Sequence, residues 1–290
     1  VQIPAGYKWY NLDSKKTELS AYTKWTEKIS DHWQTFLDLQ ARKVNYRING
    51  FRDNPGLQLK NDYLFFNPKA GITFSKGNMQ SYFSYARAAK EPNRDDFEAG
   101  KNQQPKAEYL NDWEMGVEQK NKQYNWSVNF YYMQYKNQLV LTGKINDVGA
   151  YTRTNIPYSF RMGVELAGGA AFTEWFSASG NAAFSRNRIR NFTEYIDDYD
   201  NGGQKSNFYQ QTDIAFSPGM VASASLNFFP AKGAELNLVS KYVSRQYLDN
   251  TSKKQRSLNP YYTQDIKLSY SFSKIKIKER KQKYKSHDPS

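Results

Sequence analysis

Cysteine is absent from all 290 residues. That excludes a disulfide framework and any thiolate metal site, and it leaves the redox compartment unmarked. Histidine is scarce: His32 sits beside a predicted tight turn and His287 lies in the C-terminal tail. Neither is placed to complete a hydrolytic triad with Ser and Asp on a loop rim, so the chain is read as a non-enzyme with no catalytic residues. No cofactor and no metal ligand set is expected. Long apolar runs are missing as well. None approaches the ~20 residues of a spanning helix, and a mean hydropathy of −0.86 is too polar for a helical membrane protein. The pairs Gly168-Gly169 and Gly202-Gly203 read as turn residues, not phosphate cradles.

What the chain has is alternation. Polar and apolar residues alternate over eleven stretches, 17–28, 32–48, 63–75, 79–90, 108–120, 123–142, 158–168, 171–186, 214–229, 233–247 and 261–273. Successive strand residues point to opposite faces, so each stretch predicts a strand with one apolar and one polar face. On the apolar face lie Tyr124, Trp126, Val128, Phe130 and Tyr132; Phe160, Met162, Val164 and Leu166; Met220, Leu226 and Phe228; and Ile266 and Leu268. Asn129, Arg161, Glu165, Asn227 and Lys267 lie opposite them.

The predicted joints alternate tight and long. The tight ones are 29–31, 76–78, Asn121-Lys122, Gly169-Ala170 and Pro230-Ala231-Lys232; the long polar ones are 49–62, 91–107, 143–157, 187–213 and 248–260. Short turns at one rim and long loops at the other are the pattern of an outer-membrane β-barrel. A soluble sandwich with one wet face gives the same alternation. Its strands, however, are mostly ~5–6 residues, whereas spanning strands need ~9–11. Aromatics at 16%, with 23 Tyr, 18 Phe and 6 Trp, suffice for two interfacial girdles.

The net charge of +13 divides unevenly: residues 274–290 hold seven Lys/Arg against Glu279 and Asp288, a balance of +5 that leaves +8 for the rest. No nucleic-acid motif accompanies it. Lipopolysaccharide phosphates and anionic ligands are the expected partners, and no nucleic acid is.

Several segments resemble TonB-dependent receptors, in particular those of Bacteroidetes-type bacteria. They are Phe66-Asn67-Pro68-Lys69-Ala70-Gly71-Ile72, Tyr85-Ala86-Arg87 leading into Lys90-Glu91-Pro92-Asn93-Arg94-Asp95-Asp96-Phe97, and Trp113-Glu114-Met115-Gly116-Val117-Glu118. Tyr132-Met133-Gln134-Tyr135-Lys136-Asn137-Gln138-Leu139-Val140, Ile145-Asn146-Asp147-Val148-Gly149 and Arg161-Met162-Gly163-Val164-Glu165-Leu166 follow in order. The resemblance spans roughly residues 10–272 and corresponds to the second half of the family's barrel. It implies an all-β antiparallel transmembrane barrel fragment, about eleven strands of a 22-stranded barrel, plugged by an N-terminal domain outside this chain. Residues 1–273 would form the partial barrel and 274–290 a basic tail outside it. In that tail the apolar parity slips from even through Phe272 to odd at Ile275 and Ile277, which reverses the two faces. A truncated or frameshifted product, or an unusual variant, is the expectation there.

By the same resemblance the long loops form part of a ligand vestibule. Tyr and Arg combine flat area with polar reach and dominate recognition hot spots. On that ground Tyr151, Arg153, Arg188, Arg190, Tyr195, Tyr199 and Tyr209 are the candidate ligand-contacting residues, their plain alternative being solvated loop tips against lipopolysaccharide. The acidic run Asp197-Asp198-Tyr199-Asp200 offers oxygen ligands of the kind Ca²⁺ takes, but reads first as a solvated loop. The expected function is energised import across the outer membrane of a scarce nutrient, ferric siderophore or haem first, with the TonB complex acting through the plug. A passive porin or structural barrel, or a cobalamin or oligosaccharide importer, is the alternative.

Overall fold

The computed structural model describes residues 12–52, 54–98, 104–145 and 151–272, without the side chain of Thr152. One antiparallel sheet dominates. It runs through β1 (Asp13–Lys28), β2 (Trp33–Asn49), β3 (Gln58–Lys76), β4 (Met79–Lys90), β5 (Glu108–Lys120), β6 (Tyr124–Ile145), β7 (Tyr151–Thr173) and β8 (Phe176–Asp197). It continues through β10 (Met220–Ala231) and β11 (Ala234–Val243) to β14 (Tyr261–Tyr270), each strand pairing with its chain neighbour. The short β9 (Gln204–Asp213) pairs with the upper half of β8 while β10 pairs with its lower half. Together β9 and β10 fill one place in the wall, which therefore has eleven positions. β12 (Gln246–Tyr247) and β13 (Ser257–Leu258) form a separate ribbon.

The rhythm of tight and long joints holds, but several boundaries move. The turn between β7 and β8 lies at Glu174-Trp175, not Gly169-Ala170, which sit within β7 opposite Ser179 and Ala178. There small residues let neighbouring strands approach rather than reverse the chain. The turn between β10 and β11 lies at Lys232-Gly233, with Gly233 at φ 85°. The predicted loops 143–157 and 187–213 are mostly strand: β6, β7 and β8 run 22, 23 and 22 residues. The predicted strand 214–229 begins only at Met220, because 214–219 interrupts the wall at Pro218. The tail 274–290 lies outside the described residues.

Register places the predicted apolar faces on a single side. Ile72, Phe83, Met115, Phe130, Val164, Phe184 and Met220 pair in sequence from β3 to β10 as one continuous outward row. Leu226, Leu238 and Ile266 continue the same face, as do Phe228, Leu236 and Leu268. The opposite face is concave. Tyr82 on β4 crosses Gly116 of β5 to donate to Asn129 of β6 at 2.8 Å. Phe36 likewise lies over Gly71, and Tyr131 over Gly163. In each case a Cβ on the glycine would enter the ring's space, so the missing side chain is what lets the aromatic lie flat.

The outward apolar belt slants across the strands. In β1 it runs from Leu19 to Trp25, and in β8 from Phe176 to Phe184. Pairing carries Phe184 across to Glu27 of β1, eight residues from Leu19, and Trp25 across to Arg186 of β8, ten residues from Phe176. Eight to ten residues at ~3.3 Å, over seven strand spacings of ~4.8 Å, slant the belt by about 40°. Strands of an outer-membrane barrel tilt by that amount, ~35–45°, to keep the belt level in the bilayer. Aromatics edge the belt. Tyr85, Trp113, Tyr132 and Phe160 pack in series towards the long-loop rim, with centroids 5.3, 5.6 and 6.2 Å apart. Phe172, Trp175, Phe176 and Phe228 cluster at the short-turn rim.

Candidate functional site

The inner face and the long-loop rim carry the polar chemistry. The shallow apolar depression bounded by Ile72, Phe83, Met115 and Phe130 lies within the outward belt, on the face away from that polar chemistry. At the rim two inward-facing clusters are buried. In the first, Val44, Tyr46, Ile48 and Phe65 of the wall cover Phe97 from the segment between β4 and β5, which is wholly buried. That segment therefore folds over the lumen side of the wall instead of extending away from it. Two ion-pair systems hold it there. Asp96 takes a bidentate pair from Arg153 at 2.7 and 2.6 Å. Glu91 accepts from Lys16 at 2.7 Å and from Arg42 at 3.5 Å.

The second cluster joins Val140, Ile156, Ile189, Phe192 and Ile214. Ile189 and Phe192 are three apart yet share it, so the face alternation reverses between them. Asn191 sits there at φ 54°, and Asn137 on β6 at φ 58° marks the same level. Asparagine tolerates this left-handed conformation better than most residues. Above these two positions even-numbered residues of β6 and β8 turn inward. Beside this cluster Glu194 is buried and accepts hydrogen bonds from Tyr209 at 2.9 Å, Asn207 at 3.3 Å, Lys253 at 3.2 Å and Arg256 at 2.5 Å. Burial opposes ionisation of its carboxyl, but the bonds from Arg256, Asn207, Tyr209 and Lys253 outweigh it and bring the pKa down to about 2.

The seven candidate residues separate into three groups. Tyr151, Tyr195 and Tyr199 come together around one depression of about 410 Å³, with Asp197, Glu194, Asp249 and Arg256 in its wall. Tyr151 donates to Asp197, whose carboxyl is lowered by that bond and by Gln204. Lys144 lies 5.7 Å over the Tyr195 ring, and Tyr199 is 92% exposed. Tyr209, paired with Phe192, faces inward and is engaged by Glu194, and Arg153 is engaged by Asp96. Arg188 and Arg190 alternate with buried Ile189 and belong to the outer face, Arg188 paired with Asp213 at 2.8 Å and Arg190 5.1 Å over Tyr158. The sequence reading did not single out Glu194, Asp249, Lys253 or Arg256. They are local to no motif, and only the approach of 249–256 to β8 unites them. Among the described residues no cluster of three or more His, Asp or Glu side chains is arranged to hold a metal ion.

A family model described as "TonB dependent receptor-like, beta-barrel" matches residues 2–281. The chain belongs to the TonB-dependent receptor family. Its members are outer-membrane β-barrels that act as transport receptors, not enzymes. No curated protein matches the chain. Among solved structures it is similar to the siderophore receptor PiuA from Acinetobacter baumannii, at 18% identity and a TM-score of 0.69, covering 91% of this chain and 38% of that one. The copper transporter OprC matches at 10% identity and a TM-score of 0.73, covering 90% and 41%. The ferric-catecholate import receptor Fiu from E. coli K12 matches at 14% and 0.65, covering 91% and 39%. The chain thus spans about two fifths of the receptors it resembles. At these identities the likeness establishes the fold alone.

Proposed function

We propose that this chain forms part of an outer-membrane receptor that imports a scarce nutrient, with a ferric siderophore or haem as the first expectation for cargo. The observation that carries the reading is the slanted outward belt set against a polar concave face, at the tilt a closed barrel requires. On that concave face Asp38 Oδ1, Asn67 Oδ1 and Asp112 Oδ1 are buried without a hydrogen-bond partner among the described residues. Buried polar atoms are normally satisfied, so they suit a polar body inside the lumen, such as the plug through which the TonB complex would act. The solved neighbours include receptors described for siderophores and ferric catecholate, which supports iron, and a copper transporter, which keeps other cargoes in view. The Tyr151–Tyr195–Tyr199 depression supplies flat aromatic surface for a ligand, its one cation, Arg256, being held by Glu194 and Asp249.

The test is uptake in cells carrying the complete receptor. Radiolabelled ferric siderophore, haem, cobalamin and an oligosaccharide are offered in turn, with and without TonB. Receptor-dependent uptake of an iron source that stops when TonB is removed is the expected result. Uptake that persists without TonB would establish the passive-pore alternative.

A further inference from the structure

Five of the rim's cations are neutralised within the fold: Lys16 and Arg42 by Glu91, Arg153 by Asp96, Lys253 and Arg256 by Glu194. The outer face of β1–β3 differs. There the apolar belt ends at Leu19 and Leu64, 72% and 79% exposed, and a group of basic residues stands at and beyond that margin. Lys15, Arg47 and Lys60 pair across the three strands in one row, Thr17, Asn45 and Asp62 in the next, and Leu19, Lys43 and Leu64 in the third. The upper two rows and Lys43 line a groove of about 500 Å³. Four cations face one carboxylate, Asp62, which lies 3.9 Å from Lys60. Among the described residues Lys15, Lys43 and Arg47 have no carboxylate within ion-pair range.

We propose that this groove binds the phosphate of a phosphorylated glycolipid in the outer leaflet, with its acyl chains against Leu19, Ala21, Ala41, Leu64 and Phe66. The inference rests on the outer-membrane reading above. Two features point to a lipid and not to a free anion. The cations stand at the margin of a lipid-facing belt, where basic clusters draw anionic headgroups. Lys43 is flanked in its own row by Leu19 and Leu64, so a bound phosphate has apolar surface directly beneath it.

The test compares the complete receptor in detergent with its Lys15→Gln/Lys43→Gln/Arg47→Gln variant, titrated with bisphosphoryl lipid A, dephosphorylated lipid A and inorganic pyrophosphate. Heat-modifiable migration and reconstitution into vesicles are scored alongside. The expected result is at least about tenfold weaker binding of bisphosphoryl lipid A to the variant, since each basic residue near a membrane surface contributes measurably to anionic-lipid binding. Dephosphorylated lipid should bind both proteins equally and weakly. Equal affinity of both proteins for the bisphosphoryl lipid overturns the site. Pyrophosphate binding as tightly as the lipid also overturns it, in favour of a free-anion site. Failure of the outer-membrane reading looks different: the wild type itself would then show neither heat modifiability nor vesicle insertion.

Discussion

Phe130 and Asn129 are adjacent in β6 yet meet opposite environments. Phe130 pairs with Met115 and Val164 in the outward row, while Asn129 accepts the Tyr82 hydroxyl on the concave face. Arg on a lipid-facing site at mid-membrane costs ~2–4 kcal/mol, whereas a lumen site tolerates it. Phe130→Arg in the complete receptor should therefore lower stability by about that amount, and Asn129→Arg by much less. Denaturant titrations in lipid vesicles measure both, and equal losses would reverse the assignment. Leu268 and Lys267 repeat the contrast in β14, paired with Leu236 and Asn237. This level was legible in the sequence because one face meets hydrocarbon and the other does not. Glu194 was not legible, since its four partners come from β9 and from the 253–256 segment.

Elements beyond the belt behave differently from those within it. The upper halves of β6, β7 and β8 read as loops in the sequence because the alternation is broken at Asn137 and Asn191, where the faces reverse. Beyond those positions Phe192 joins Ile189 in one buried cluster at a spacing of three, so the period-two signal fades although strand structure continues. What orders the rim is ion pairing, and that carries a pH dependence. Folding lowers the Glu194 carboxyl from 4.5 to about 2. A carboxyl lowered by folding stabilises above its unfolded pKa and loses that contribution as pH falls through the folded one. The 249–256 segment should stay docked on β8 above about pH 4.5 and come loose as pH approaches 2. A nitroxide at Lys254→Cys reports this: its mobile fraction should rise through that window. In Glu194→Gln it should be mobile already at neutral pH. A mobility that ignores pH in the wild type would count against Glu194 as the anchor.

At the scale of the molecule the sheet has two open edges among the described residues. Every residue of β1 and of β14 is exposed. Unpaired backbone groups cost several kcal/mol each in hydrocarbon, so an open sheet does not span a bilayer. In water such edges template aggregation, the more so beside exposed Trp25, Ile266 and Leu268. Expressed by itself, this 290-residue chain should give inclusion bodies, or a folded species only in detergent. A soluble, monodisperse monomer with sharp two-state unfolding, seen by size exclusion and denaturant titration, would overturn this.

Strand number, face parity and the alternation of short and long joints followed from the sequence alone, because hydrophobic periodicity is local and a spanning wall must repeat it in every strand. Tertiary structure decided the rest. The Gly168-Gly169 pair looks like a turn, but the chain reverses at Glu174-Trp175, where the pairing between β7 and β8 ends. Phe97 looks like a loop residue, yet it is buried because its segment folds back onto Val44, Tyr46, Ile48 and Phe65 of β2 and β3. The belt's slant, the pairing of Arg153 with Asp96 and the outward placement of Arg188 and Arg190 all depend on register between strands. Register is set by many weak side-chain pairs acting together across the sheet, and no single segment carries it.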